Sequence, residues 1–458
     1  MVLKLKPGKQ VKLEIKSVDR KGRGVGWIGD YAVGIPATVP GDTVLARIRR
    51  VRHRRREAEA RKEELIQAGI DRKTARCSHF GTCGGCLWQD VAYDEQVAVK
   101  QTMVLNCLRA NGFQIEMDDP IPAEDPFYYR NKMEFSFGVS SEGDVCLGLH
   151  IGGRFDKVFD LESCYLQSDQ SNKIVKRVRE FVRSRGLSAY DLRRHTGLLR
   201  FLTIREGKKT GETMVILTTS AEDAPELVEL GSQLESEFPE IKSVIRSVNR
   251  RKAQVAIGDD EEIVRGQGTV SERLGDYSFE ISPSSFFQTN TAQAEKLYQR
   301  VVELVNPGPQ DKVLDLYCGT GAISLLLSEH CGEVIGVEIS NTAVQDALRN
   351  SVRNRVENCR FVEGSAEQIL ARFRDESVHF DAAVVDPPRA GMHPKGLQAL
   401  VDLKPKTIVY VSCNLQALTD DLKQMENGGY RPDYVQLVDM FPHTPHCEIL
   451  SRLRYQKE

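Results

Sequence analysis

The run "TIVYVSCNLQAL" carries Cys413 off the end of an apolar strand, between Ser412 and Asn414. A lone cysteine is by default a small buried filler. A turn position flanked by two hydrogen-bonding side chains offers more. A free thiol titrates at about 8.5, and local charge and hydrogen bonds can lower that enough to supply a nucleophilic thiolate. Addition of a thiolate to a ring needs a base to complete it, and "DMFPHTPHCEILSRL" offers His443, His446 and Glu448. Glu448 opens an apolar run, where partial burial raises a carboxyl pKa toward a useful value. The two histidines serve equally as packing or loop residues.

A second constellation is a ligand crevice. "VLDLYCGTGAISLLLSEH" reads as strand, tight glycine turn and helix, with Gly319 and Gly321 letting the backbone pass close to a ligand. It is not a complete GxGxxG. The next strand, "EVIGVEIS", ends in Glu338, 19 residues after Gly319. A carboxylate there can accept from two ribose hydroxyls; the alternative is a surface acid capping a helix. This pair suits a nicotinamide or S-adenosylmethionine. "DAAVVDPPRAG" helps decide, because Asp386-Pro387-Pro388 ends a strand in an acid and a rigid, donor-poor turn. That arrangement resembles the DPP-type motifs of methyltransferases acting on bases. Sulfur chemistry fits such a donor. Carbon 5 of uracil is too weak a nucleophile to attack a methyl sulfonium, whereas thiolate addition at carbon 6 makes an enolate whose carbon 5 can. A base then takes the proton from carbon 5 and the thiolate leaves.

A third group is "CSHFGTCGGC", with Cys77, Cys83 and Cys86 inside ten residues. Eleven cysteines, an odd number spread unevenly, fit metal or catalytic use better than a disulfide framework. Four-cysteine sites suit zinc or an iron–sulfur cluster alike. The five residues between the first pair depart from the CxxxCxxC of radical enzymes.

These residues need a scaffold. At 458 residues the chain has room for about three domains, and nothing in it approaches the ~18 apolar residues of a membrane span. Its amino terminus has no apolar run, so no secretory signal is expected and the protein should be cytoplasmic. Residues 1–62 hold 17 Lys and Arg against 6 Asp and Glu, a net +11 in a chain whose total is −2. A basic arm on an acidic body points to nucleic acid or a membrane surface. From Gly8 to Arg50, short alternating strands broken by Gly, Pro and Asp predict a small barrel, with basic residues continuing past its end. Cationic loops on such a barrel suit a phosphate backbone. "YDEQVAVKQTMVLNCLRANG" predicts an amphipathic helix ending at Gly112, with Cys107 as a filler. Residues 121–270 read as mixed strands and helices. From about residue 275, strands alternate with helices, predicting a doubly wound parallel sheet whose ligands lie at the carboxyl ends of its strands.

At this point the residues resemble a known family, the TrmA/RumA RNA 5-methyluridine methyltransferases, and most nearly its RumA branch. The likeness runs nearly the full length, and "DPPRAG", "YVSCN" and "DMFPHTPHCE" are its most specific parts. It implies an amino-terminal TRAM (OB-like) barrel over 1–65 and a mixed α+β central domain over 66–274. A Rossmann-like class I methyltransferase over 275–458 completes the α/β architecture. It implies Cys413 as nucleophile and Glu448 as proton acceptor, with Gln288, Tyr317, Gly319, Glu338 and Asp386 around S-adenosylmethionine. It implies a [4Fe–4S] cluster on Cys77, Cys83, Cys86 and a distant fourth cysteine, here Cys164. Tyr129, Arg130, Asn131 and Lys132 fall on the family's "YRNK" element near the RNA path. By analogy the substrate is RNA, ribosomal RNA favoured and tRNA possible, with no obligate protein partner. Three positions depart from the family pattern. Ala322 replaces an asparagine, removing one cofactor hydrogen bond. Leu415 replaces a proline after "SCN", which loosens that loop. Cys447 replaces an apolar residue before Glu448. Two rival readings are an N-methyltransferase using "DPPR", which would not need Cys413, and a non-catalytic RNA-binding assembly factor, which would bind no cofactor.

Overall fold

A computed structural model describes residues 5–19, 21–154 and 156–456. Three large sheets follow one another along the chain. The first has six strands, ordered in space as Gln10–Glu14, Thr43–Arg52, Glu57–Gln67, Tyr31–Ile35, Gly24–Ile28 and Ser17–Val18. Strand alternation buries Val11, Leu13, Val44, Ala46, Ile48, Ala58 and Ala60 in a core of its own. The sheet curls on itself. Gly26 lies so close to the Glu14 carbonyl that a Cβ there would come within 2.4 Å.

The basic stretch read as trailing past the last strand is itself partly strand. Glu57–Gln67 pairs antiparallel with Thr43–Arg52 and parallel with Tyr31–Ile35. Its inward residues are only alanines, so charge masked the alternation. Arg47 and Arg52 pair with glutamates of this strand. The exposed Arg49, Arg50, Arg54 and Arg55 form no ion pair among the described residues, so their charge faces solvent.

After the helix Tyr93–Ala110 comes a seven-stranded sheet built from Lys132–Val139, Val145–His150, Val158–Asp160, Leu199–Glu206, Thr213–Thr219, Ile241–Val248 and Asp260–Gly266. A two-stranded hairpin, Val270–Leu274 with Tyr277–Ile281, follows, and residue 275 lies in its turn.

The third sheet positions the chemistry. Its strands are β1 (Lys312–Leu316), β2 (Glu333–Glu338), β3 (Cys359–Glu363), β4 (Ala382–Val385), β5 (Thr407–Ser412), β6 (Tyr430–Val438) and β7 (Glu448–Tyr455). Their spatial order is β3-β2-β1-β4-β5-β7-β6. The first five run parallel; β7 is antiparallel to β5 and to β6. Strand order reverses between β1 and β4, and a crevice opens at such a switch point. β1, β4 and β5 are near-continuous apolar runs covered by helices on both faces, as parallel sheets require. No helix among the described residues is long and apolar enough to cross a membrane.

Candidate active site

Past β1 the chain turns sharply. Tyr317 takes a left-handed backbone (φ 63°), and the Tyr317 and Cys318 amides both donate to the Val337 carbonyl on β2. Gly319 and Gly321 also have positive φ, which glycine adopts without steric cost. Glu338, at the end of β2, reaches back over this turn. Its Oε2 accepts from the Gly319 amide at 3.1 Å and its Oε1 from the Ser340 amide at 2.8 Å. The following helix, Asn341–Arg353, is capped by Ser340, so Glu338 is not serving as its cap. Tyr317, Gly319, Ala322 and Asp386 line one narrow cavity with Phe286, Phe287 and Tyr298. Ala322 presents only a methyl group there.

Asp386 follows β4, and burial pushes its carboxyl up to about 7, opposed by a hydrogen bond from Gln288. Gln288 lies before the helix Thr291–Val305, and its carbonyl accepts from Asn131 Nδ2 at 2.8 Å. The "YRNK" element therefore divides. Tyr129 and Asn131 are buried latches, the former donating to the Pro442 carbonyl, while Arg130 and Lys132 line the large cavity described below.

The register supplies the decisive juxtaposition. Ser412 on β5 pairs with Ile449 on β7, so Cys413 and Glu448 come opposite one another as the strands part. Cys413 is partly exposed. Burial first, then the Glu448 charge, push its thiol up to about 11, and Arg389 opposes them. Glu448 is 3 % exposed. Burial and then Asp386 raise its carboxyl well above the usual range, again against Arg389. Its Oε2 has no hydrogen-bond partner. Acid, thiol and arginine thus converge on one spot, with an acceptor atom left free.

The loop after Cys413 is not slack despite Leu415. Asn414 caps the helix Leu415–Asn427 by accepting from the Gln416 amide, and its Nδ2 donates to the Arg389 carbonyl at 2.7 Å. Leu415 and Cys447 are both buried core residues. His443 is a structural residue: it is buried, its carbonyl accepts from the Leu87 and Trp88 amides, and its ring meets Gln96 Nε2 at 3.2 Å. Burial lowers its pKa to about 4. His446 is exposed, edge-on to Phe441.

Cys77, Cys83, Cys86 and Cys164 line one cavity of about 770 Å³ that extends to Phe286 and Phe287, the two rings shared with the narrow cavity. The first loop is fixed by an added rung on the central sheet, Cys83 pairing with Ile151. The Gly85 amide donates to the Cys83 sulfur at 3.3 Å. Burial, with the neighbouring cysteines adding to it, pushes Cys83 up and Cys86 up to about 12. Among the described residues no three His, Cys, Asp or Glu side chains gather closely enough to hold a metal ion.

Sequence reasoning missed three contributors. Arg389 stood inside a quoted motif without a role. Gln96 and Lys100, on the helix Tyr93–Ala110, read as ordinary polar residues. In the fold both are fully buried, and Lys100 pairs with Asp439 at 2.6 Å. Losing one member of such a pair costs about 3–5 kcal/mol. No local signal marks them, because the partners His443 and Asp439 that give them this role lie more than 300 residues away.

Residues 92–453 match the family described as tRNA (Uracil-5-)-methyltransferase. A Chlorobaculum tepidum protein named as an uncharacterized RNA methyltransferase is 40% identical over 431 residues, spanning 90% of this chain and 89% of its own. One from Halalkalibacterium halodurans with the same description is 35% identical over 445 residues, 97% and 96% of the two chains. Among solved structures, the Pyrococcus abyssi tRNA (uracil-54, C5)-methyltransferase in complex with S-adenosyl-L-homocysteine superposes with a TM-score of 0.76. It is 31% identical, over 96% of this chain and 99% of that one.

Proposed function

As a member of the tRNA (uracil-5-)-methyltransferase family, the chain is an RNA (uracil-5-)-methyltransferase, and we propose that it methylates carbon 5 of a uridine in structured RNA through a transient bond from Cys413. The observation that carries this reading is the β5–β7 register that sets Cys413 opposite a buried Glu448 whose Oε2 has no hydrogen-bond partner. S-adenosylmethionine, when bound, supplies the methyl group on a sulfonium. Glu338, oriented by the Gly319 amide, would hold its ribose side, with Tyr317, Gln288 and Asp386 around the rest. Glu338 is already aimed over the glycine turn with lone pairs to spare, which fits that group. Cys413 adds to carbon 6 of the uracil, and carbon 5 takes the methyl group. Glu448, in its ionised form, then receives the carbon 5 proton; those electrons restore the ring double bond and expel the thiolate. The target base must leave its stack to reach Cys413, and irregular RNA makes that cheap. The exposed arginines of the first sheet, in a TRAM-like role, would grip the backbone.

The Pyrococcus abyssi protein, named as a tRNA enzyme, matches 96% of this chain. The curled sheet and the cysteine region therefore do not by themselves select ribosomal RNA. The test is mass spectrometry of tRNA and ribosomal RNA, each incubated with the protein and S-adenosylmethionine. We expect 5-methyluridine at one position in one of them. Methyl groups on an exocyclic amine, or none, would refute the reading.

We infer further that Cys77, Cys83, Cys86 and Cys164 hold a [4Fe–4S] cluster. Their donor chemistry fits: four thiols surround one cavity without converging. A single zinc ion needs every sulfur at about 2.3 Å from one centre, whereas a cube spreads its four ligands. Anaerobically purified protein is expected to carry iron and sulfide in equal amounts, and Cys164→Ser to lose both. Zinc without sulfide would overturn this.

A further inference from the structure

The loop from Asp439 to Cys447 delivers Glu448, and distant parts of the chain grip it along its length. Lys100 Nζ bonds Asp439 Oδ1 at 2.6 Å and the Phe441 carbonyl at 3.0 Å. Gln96 Oε1 accepts from the His443 amide at 2.8 Å, and Gln96 Nε2 donates to the Trp88 carbonyl at 2.9 Å. The Leu87 and Trp88 amides, directly after Cys86, both donate to the His443 carbonyl at 2.9 and 3.1 Å. His443 itself has a left-handed backbone, φ 65°. A non-glycine residue holds such a conformation only where its surroundings impose it.

Two residues further on, Pro445 meets the first sheet. Gly22 sits so tightly on it that a Cβ at residue 22 would lie 1.7 Å from the Pro445 Cβ. Gly22 is itself fixed in a tight turn. Its amide donates to the Asp19 carbonyl at 2.8 Å, and the Asp19 carboxylate accepts from the Lys21 and Arg23 amides. Only His446 and Cys447 separate Pro445 from Glu448, and Cys447 is buried. The chain has no slack there to absorb a shift.

The geometry points to Leu87 and Gly22 as positioning residues for Glu448, so that the cysteine segment and the first sheet control removal of the carbon 5 proton rather than bond formation by Cys413. Resting on the covalent reading above, this gives both regions a place in the reaction without contact with the reacting atoms. Cys413 lies on a separate turn at the end of β5, tied to Arg389 through Asn414. A misplacement of about 1 Å at a reacting group can cost about 100-fold. Proton removal breaks the carbon–hydrogen bond, and Glu448 must lie within hydrogen-bond reach of that proton.

The test compares unaltered protein with Gly22→Ala and Leu87→Pro. The first places a methyl group against Pro445. The second removes one amide donor while leaving every cysteine in place. Each is incubated with uridine-containing RNA and methyl-labelled S-adenosylmethionine, then run on a denaturing gel; a parallel sample uses 5-fluorouridine RNA. In both variants turnover should fall about 10–100-fold while a methyl-labelled protein–RNA adduct builds up. The fluorinated RNA should still be trapped fully. Turnover that is unchanged, or that falls without a labelled adduct, overturns the proposal, as does loss of fluorinated trapping in both variants. Failure of the unaltered protein to trap fluorinated RNA would instead overturn the covalent reading beneath it.

Discussion

Cys413→Ala protein will fail to methylate RNA, with kcat/KM down by roughly 10⁴-fold or more, the scale on which enzymes lose activity with their nucleophile. It should also lose its covalent trap with 5-fluorouridine RNA, since fluorine cannot leave carbon 5 as a proton does. Cys447, the thiol next to Glu448 in the chain, cannot stand in, because it is buried in the core. Binding of S-adenosylmethionine, measured by calorimetry, should be unchanged, because the glycine turn and Glu338 are built from β1 and β2. Full activity in this variant would support exocyclic N-methylation instead. The unaltered protein should also show a rate that rises with pH. The Cys413 thiol is held at about 11, and a group raised in this way gains its reactive ionised form only as the solution becomes more alkaline. Adduct formation with 5-fluorouridine RNA should therefore quicken steadily from pH 6.5 to 9.

Glu448→Gln should separate the two halves of the reaction. Methyl transfer needs the thiol and proton removal needs the carboxylate, so turnover should fall about 10²–10⁴-fold while methylated RNA accumulates on Cys413. Mass spectrometry of the denatured adduct would find the methyl group. A clean loss of activity with no adduct would place Glu448 in the first step. Where Glu448 is ionised its charge raises the Cys413 thiol, so at alkaline pH fluorinated trapping should be at least as fast in the variant as in the unaltered protein. Stability gives an independent check. The Glu448 carboxyl is raised well above its usual value, so the folded chain keeps a proton that the unfolded chain releases above about pH 4.3. The stability this group contributes is full below that pH and is lost as pH rises through the folded value. The glutamine variant should show a flatter fall of Tm with pH above that point.

Much of this was legible in the residues. Three apolar strands, ending in a glycine turn, in an acid followed by two prolines, and in a cysteine, pointed to an α/β sheet and to the end of it that carries the candidate site. Strand runs and turns are local, and short-range sterics write them directly into sequence. Cys77, Cys83 and Cys86, close in sequence, line the wall of one cavity. Local reading went astray where the signal was weak. Glu57–Gln67 hid its strand behind small alanines and charge, and Asn131, placed by resemblance near the RNA path, is a buried latch on Gln288.

What only the tertiary structure decided is which groups meet. Cys413 and Glu448 are 35 residues apart in the chain, and the register of β5 on β7 makes them neighbours. It also set aside His443 as a base, by walling its ring against Gln96 and Phe127. Lys100 and Gln96 gained their roles through partners more than 300 residues distant. Burial and desolvation depend on everything that surrounds a side chain. The sequence could therefore name the thiol and the acid as candidates, and folding alone could bring them opposite one another and leave one buried Glu448 oxygen unpartnered.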